Sequence, residues 1–483
     1  IGRFTGATGA ALLAFLVVPL AIAIGSLMPW IDPETIGPNR ISWYAASYAF
    51  YAVPTVFLTC ALFFAVATMT RSMLYSYVAV VGFLVLYLFY GVLVSAEPDY
   101  REIAALTDPL GFGGFAYETR YWTAAERNTQ MPPLTGLILA NRALALGLAL
   151  LALAAAYWRF TFAERGISAR KARKLARKAE KAAATKPRPV AALPATRPGR
   201  AALARLTKTT RFEIGQVVRS PAFIVLLALG LFNSVAALAF GGDLYGTPPI
   251  PATFAIIPQL EGAFTLFALI IAIYYGGELV WRDRDRKFHE VVDATSLPGW
   301  AYMVPKTIAV ALVLFAVLLV SVAGAVAVQA ANGHFKFELG KYLAWYVAPT
   351  TADMLLIAVL SVFVQALSPN KYVGWGIMTL YLVAGITLAN IGYDHPLILY
   401  GRTGFSPLSD MNGAAVGGAL GWWLRLYWGG FAVLLAVIAH LLWRRGTETR
   451  LAPRMRRLPR RAASAAGALG LAGLLTAGAT GSF

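Results

Sequence analysis

Charged side chains are sparse in this sequence, so the places where they gather are the places where chemistry could happen. Only 13% of its 483 residues are Asp, Glu, Lys or Arg, against 58% hydrophobic. The densest group runs from Glu278 through Trp281, Arg282, Asp283, Arg284, Asp285, Arg286, Lys287, His289 and Glu290 to Asp293. Cations alternating with carboxylates offer both signs of charge to a second charged surface. The other reading is a solvated run that anchors the end of an apolar segment. His289-Glu290-Val291-Val292-Asp293 lacks the second histidine of the H-E-x-x-H zinc pattern, and the chain has no G-x-x-x-x-G-K-[ST] phosphate loop. Its one cysteine, Cys60, lies in an apolar run, and its four histidines (His289, His334, His395, His440) are scattered. No thiol catalyst, disulfide or multi-histidine metal site can be assembled from them. Electrostatic work remains. Asp353 stands among Ala352, Met354, Leu355 and Leu356, where an ionised group is costly and must face a bundle interior or a wet cavity. It is a ligand contact or a group bonded to a neighbouring helix. Glu261 and Glu278, at the two ends of one apolar run, read as interfacial.

The elements that must position these groups are membrane spans. A mean hydropathy of +0.63 with so few charges belongs to the polytopic membrane class rather than to soluble domains. Apolar runs of about twenty residues predict eleven spans: 7–30, 43–68, 73–95, 134–160, 219–240, 258–281, 301–330, 345–367, 371–392, 420–443 and 462–483. The net charge of +19 clusters on alternate connections: Arg3, Arg71, Arg159 and Arg165, the 282–287 group, Lys371, Arg444, Arg445 and the 450–461 group. The positive-inside rule places these in the cytoplasm, facing anionic lipid, and nucleic-acid binding is the weaker reading. The opposite loops, including Glu97–Pro133 and Tyr393–Gly413, then lie outside. Residues 170–181 read as a cationic helix and 187–198 as a flexible Pro/Ala spacer. Pro54 and Pro349 interrupt their spans and are hinge candidates.

The chain also echoes itself at a spacing of about 290–300 residues. Trp43-Tyr44 with Pro54-Thr55 answers Trp345-Tyr346 with Pro349-Thr350, and Asp108-Pro109-Leu110 answers His395-Pro396-Leu397. The expected fold is an all-α bundle of two tandem repeats of about six spans, packed around an axis along the membrane normal. Residues 1–160 form the first repeat, 161–217 a basic cytoplasmic linker, 218–446 the second repeat, and 447–483 a basic loop with a final span. On this expectation the first repeat lacks two spans, about 80 residues upstream, and the final span leads onward.

The stretch Gly277-Glu278-Leu279-Val280-Trp281-Arg282-Asp283-Arg284-Asp285-Arg286, with Asp293-Ala294-Thr295 and Pro298-Gly299-Trp300, resembles the cytoplasmic elbow of ABC-type permeases of the type-2 exporter class. Ser409-Asp410-Met411-Asn412-Gly413, Trp423, Tyr427-Trp428 and Trp443-Arg444-Arg445-Gly446 are similar to a bacterial branch in which that permease is fused to a gluzincin-type zinc aminopeptidase. Gly2-Arg3-Phe4-Thr5-Gly6 and Pro29-Trp30-Ile31-Asp32-Pro33 fit the same branch. The resemblance implies a permease in the bacterial inner membrane, with the elbow at 281–297 docked on separate cytoplasmic ATPase subunits. ATP and Mg2+ would belong to those subunits, and zinc only to an external peptidase domain beyond the final span. This chain would itself not be an enzyme. The motif Asp410, Met411, Asn412, Gly413 would lie outside. Two alternatives compete: a membrane anchor for the peptidase without transport, and an ion-coupled carrier centred on Asp353. The carrier needs further convergent ionisable groups.

Overall fold

The computed structural model describes residues 2–29, 37–71, 100–160, 198–239, 250–295, 297–393, 395–404, 408, 418–446 and 450–482, with single positions between 75 and 87 and between 173 and 177. Every regular element among the described residues is helical. Nine of these helices are long and apolar enough to cross a membrane. The chain divides into two compact units, Ile1–Ala191 and Ala192–Phe483.

The first unit contains α1 (Gly2–Gly25), α2 (Ile41–Thr70), the short helices α3 (Arg101–Thr107), α4 (Phe112–Glu118) and α5 (Ala124–Thr129), and α6 (Gly136–Arg159). Its core is a thin seam of Phe4, Leu58, Ala61, Ala145 and Ala149, and the three alanines let α2 and α6 approach. The apolar side chains of α1 point mostly outward, Leu13 being 68% exposed, as a helix facing hydrocarbon requires. The span expected at 73–95 falls largely outside the described residues.

The second unit contains α7 (Pro198–Val218), α8 (Pro221–Ala239), α9 (Thr253–Asp285), α10 (His289–Asp293), α11 (Trp300–Ala331), α12 (Leu339–Leu367), α13 (Lys371–Asn390), α14 (Gly418–Leu441), α15 (Leu451–Arg456), α16 (Leu458–Ala462) and α17 (Ala465–Gly481). Its core gathers Phe264, Ile271, Tyr275, Leu314, Leu318, Tyr346 and Ala358 from α9, α11 and α12. α7 occupies the end of the segment read as a spacer. It buries one stripe, Thr210, Glu213 and Val217, at the i, i+3, i+7 spacing of a packed helix. Most of the cationic stretch 170–181 and nearly all of 187–198 lie outside the described residues. α17, the last predicted span, lies on α14 through glycines, Gly430 and Gly473 meeting backbone to backbone.

Both proline sites sit in the same local geometry. In α2 a π-helical turn, Tyr48–Ala52, precedes Pro54, and in α12 a π-helical turn, Leu343–Val347, precedes Pro349. Proline has no N–H to give to the turn before it, so that turn widens: the Val53 and Ala348 N–H groups reach back five residues, to Tyr48 and Leu343.

α9 runs further than its apolar stretch predicts. It continues unbroken to Asp285, so Arg282 to Asp285 are helical and only 286–299 forms the bend. The stop is a left-handed residue, Lys287 (φ 55°). The Lys287 N–H donates to Arg284 and the Phe288 N–H to Asp283, the double closure that caps a helix C-terminus, usually built on glycine.

Candidate functional site

The charged run does two different jobs. Its helical part is turned inward. Arg282, on α9, gives two parallel bonds to Glu213 of α7, at 2.6 and 3.0 Å. Lys306 of α11 joins Glu213 at 3.1 Å and Asp283 at 3.0 Å, and Arg282 also reaches Asp283 at 3.3 Å. Glu213, Arg282 and Lys306 are each less than 7% exposed. Two cations and two carboxylates thus close a neutral ring that rivets three helices together. Burial makes such charges tolerable only when each is paired, and here each is. The ring explains why α9 stays helical beyond its apolar stretch: its first charges have partners at helical register.

Beyond the ring the elbow is held from the far end of the chain. Arg284 donates to the Arg444 carbonyl at 2.9 Å, and the Asp293 carboxylate accepts the Gly446 N–H at 2.8 Å. Arg444 stacks over Trp281 at 5.1 Å and bonds the carbonyls of Ser368 and Pro369. Burial and the guanidiniums of Arg454 and Arg284 push Arg444 down to about 10. Trp281 donates to Gln365 at 2.8 Å. Lys371 pairs with Asp285 at 2.7 Å and with Glu278 at 3.5 Å. Glu278 is therefore a paired carboxylate. His289 is half-buried, and its Nδ1 is enclosed without a hydrogen bond beside a cavity of about 30 Å³. The outer surface of the elbow is Arg286, Lys287, Phe288, Glu290 and Val291. Phe288 is 54% and Val291 61% exposed, two apolar side chains amid charge.

The other end of α9 borders a second site, a cavity of about 960 Å³. α12 supplies Asp353, α14 supplies Arg425 and Trp422, and α9 supplies Pro258 and Glu261. Arg425 grips Asp353 with two bonds, Nε to Oδ1 at 2.9 Å and Nη2 to Oδ2 at 2.7 Å, and Thr403 adds a third at 3.0 Å. Arg425 also lies over the Trp422 ring at 5.3 Å. Asp353 is thus bonded to a neighbouring helix and lines a cavity at once. Glu261 sits two turns inside α9 rather than at its start, because the helix begins at Thr253 and carries Pro258 within it. The loop 395–404 closes one side. Trp428 pins it by bonding the Pro396 and Arg402 carbonyls, and the Tyr400 hydroxyl donates to Leu356 at 3.1 Å. Burial pushes that hydroxyl well above the usual phenol range, keeping it a donor.

In the first unit a separate polar centre is built on Arg142 of α6. It donates to Thr55, just past Pro54, at 3.1 Å and to the Leu110 carbonyl at 3.2 Å. Asn141 caps three carbonyls of the 105–108 turn, and Asp108 accepts the Leu110 and Gly113 N–H groups. The segment forms short helices, and α3 and α4 fold onto α6 by these bonds.

Asp410, Met411, Asn412 and Gly413 lie outside the described residues, as do Trp30 to Pro33 of the resemblance. Among the described residues no group of three His, Cys, Asp or Glu side chains could hold a metal ion. Sequence reading missed Glu213, Lys306, Arg425 and Arg142 as site residues. One signal could have found Arg425 and Arg142: each is an arginine within an apolar run, and such charges need partners. Glu213 gave no signal, because it sits in a segment polar enough to pass as solvated. No family model, curated protein or solved structure matches this chain.

Proposed function

We propose that this chain is the membrane-spanning permease part of an ATP-driven ABC-type transporter in a bacterial inner membrane, with a separate cytoplasmic ATPase gripping the elbow at 286–297. One observation carries the reading. A single continuous helix, α9, bears the charged elbow at its C-terminal end and lines the polar cavity near its N-terminal end. Its 33 residues make a rod of about 50 Å, the span of a membrane with its interfaces. The ring of Glu213, Arg282, Asp283 and Lys306 ties that rod to α7 and α11, so force on the elbow moves helices rather than a loop. Cargo would occupy the cavity beside Asp353 and Arg425.

A twofold repeat fits the same reading. Each unit has a π-helical turn before a proline, and in each a long later helix sends an arginine toward the residues just past that proline: Arg142 to Thr55, Arg425 to Asp353. ATP and Mg2+ then belong to the partner, and a zinc aminopeptidase domain following α17 would stand on the opposite face. Anchoring such a domain without transport is the reading that a missing ATPase partner would favour.

The experiment is a pull-down of the full-length protein from native membranes with an ATPase assay. Arg284 is unsuited to charge reversal, because it holds the Arg444 carbonyl; the exposed set is the better probe. In the wild type an ATPase co-purifies and is stimulated. In Phe288→Asp/Val291→Asp the chain still folds, and stimulation falls at least about tenfold. Normal stimulation in that variant would refute the docking role.

One finding favours a second reading, an ion-coupled carrier. Glu261, Asp353 and Arg425 converge on one cavity, which supplies the grouped ionisable residues such a carrier needs. Uptake that follows a pH gradient in vesicles lacking any ATPase would select it.

A further inference from the structure

Glu261 is the one carboxylate lining the large cavity that has neither a hydrogen bond nor an ion pair among the described residues. Its neighbour Asp353 is fully engaged, taking two bonds from Arg425 and one from Thr403. Asp353, Arg402 and Arg425 line the same cavity, and the charges of Asp353 and Arg425 already cancel within their own pair. A carboxylate in a recess of a membrane helix bundle is stable only with a counter-cation or a proton. The cavity holds about 960 Å³, far more than a proton or a metal ion needs. Two tryptophans, Trp345 and Trp422, line it, and indole faces attract organic cations. Trp422 already faces the Arg425 guanidinium, so a positive group is accommodated in this recess.

We infer that the cavity binds a primary ammonium group, seated on the Glu261 carboxylate beside Trp345. An ammonium offers three donors and compact charge to a carboxylate that lacks donors. The group could be carried by a water-soluble amine or by an aminoethyl lipid headgroup, and the chemistry at Glu261 is the same. The inference builds on reading this cavity as the cargo site. Binding is measured with no ATPase present, so its failure would leave the docking of the elbow untouched, and loss of docking would leave it intact.

The test uses the full chain in nanodiscs of phosphatidylglycerol, titrated with phenethylammonium chloride by calorimetry. A parallel arm uses nanodiscs of phosphatidylglycerol and phosphatidylethanolamine, with native mass spectrometry to count retained lipid. Saturable amine binding, or retained phosphatidylethanolamine, is the expected result, and which arm responds identifies the carrier of the ammonium. Glu261→Gln should weaken that binding at least about tenfold, the loss of one charge-assisted bond, and Glu261→Asp should retain part of it. Should Glu261→Gln fold poorly, amine-dependent quenching of tryptophan fluorescence, reduced in Trp345→Phe, replaces it. Absence of binding in both arms overturns the inference. So does a folded Glu261→Gln that binds as the wild type does, or protonation of Glu261 as the sole response.

Discussion

Glu213 carries more of the second unit's architecture than its place in a cationic segment suggests. Removing its charge leaves Arg282 and Lys306 buried with only Asp283 between them. Glu213→Gln should therefore cost about 3–5 kcal/mol, as breaking one member of a buried ion pair does. Denaturant titration of the purified chain, followed by tryptophan fluorescence, measures it, and Glu213→Gln/Lys306→Met should recover part of the loss. The pair beside the cavity behaves alike at a smaller scale. Asp353→Asn and Arg425→Gln should each destabilise, and the double variant should cost less than the sum of the two. The coupling energy expected from such a cycle is about 0.5–3 kcal/mol. Additive losses would mean that the two groups stand apart in the folded protein. Asp353 was legible from its apolar neighbours alone. Its partner was not chosen by anything local: which arginine it meets depends on how α12 and α14 pack.

At the scale of elements, close approach and helix termination set the positions of both sites. Gly277 lets α9 pass the Trp375 and Gln365 side chains, into which any Cβ would run. Gly277→Ala should push α9 from α12, strain the Trp281–Gln365 bond and cost about 1–3 kcal/mol, as overpacking does. Thermal unfolding detects this, and an unchanged midpoint would show that the neighbours give way freely. Lys287 holds a left-handed conformation that costs a side-chain-bearing residue about 1–2 kcal/mol. Lys287→Gly should accordingly raise stability by up to about 1 kcal/mol while keeping the turn, since glycine also adds freedom to the unfolded chain. A fall in stability would mean that the Lys287 side chain makes contacts worth more than the strain. Most spans were legible in the sequence to within a few residues, because hydrophobic length is a local property. The end of α9 was not, because its last turn is stabilised by charges on α7 and α11.

For the whole molecule, the decisive quantity is which side of the membrane the elbow faces. Lys287 and Asn332 are both exposed and lie near opposite ends of α11. In a Cys60→Ala background, Lys287→Cys should react with an impermeant maleimide only when the cytoplasmic face is accessible, and Asn332→Cys only from the other side. Labelling of both from one side would overturn the topology, and the motor-coupled reading with it. The sequence by itself determined the membrane class, the approximate spans, the polar elbow and the isolation of Asp353, since each follows from the composition of a contiguous stretch. Only the tertiary structure decided the partners. Arg282 meets a glutamate 69 residues away, Lys306 meets the same glutamate across 93, and Asp353 meets an arginine 72 residues on. Pairing across helices is fixed by packing register and crossing, which no local pattern of residues encodes.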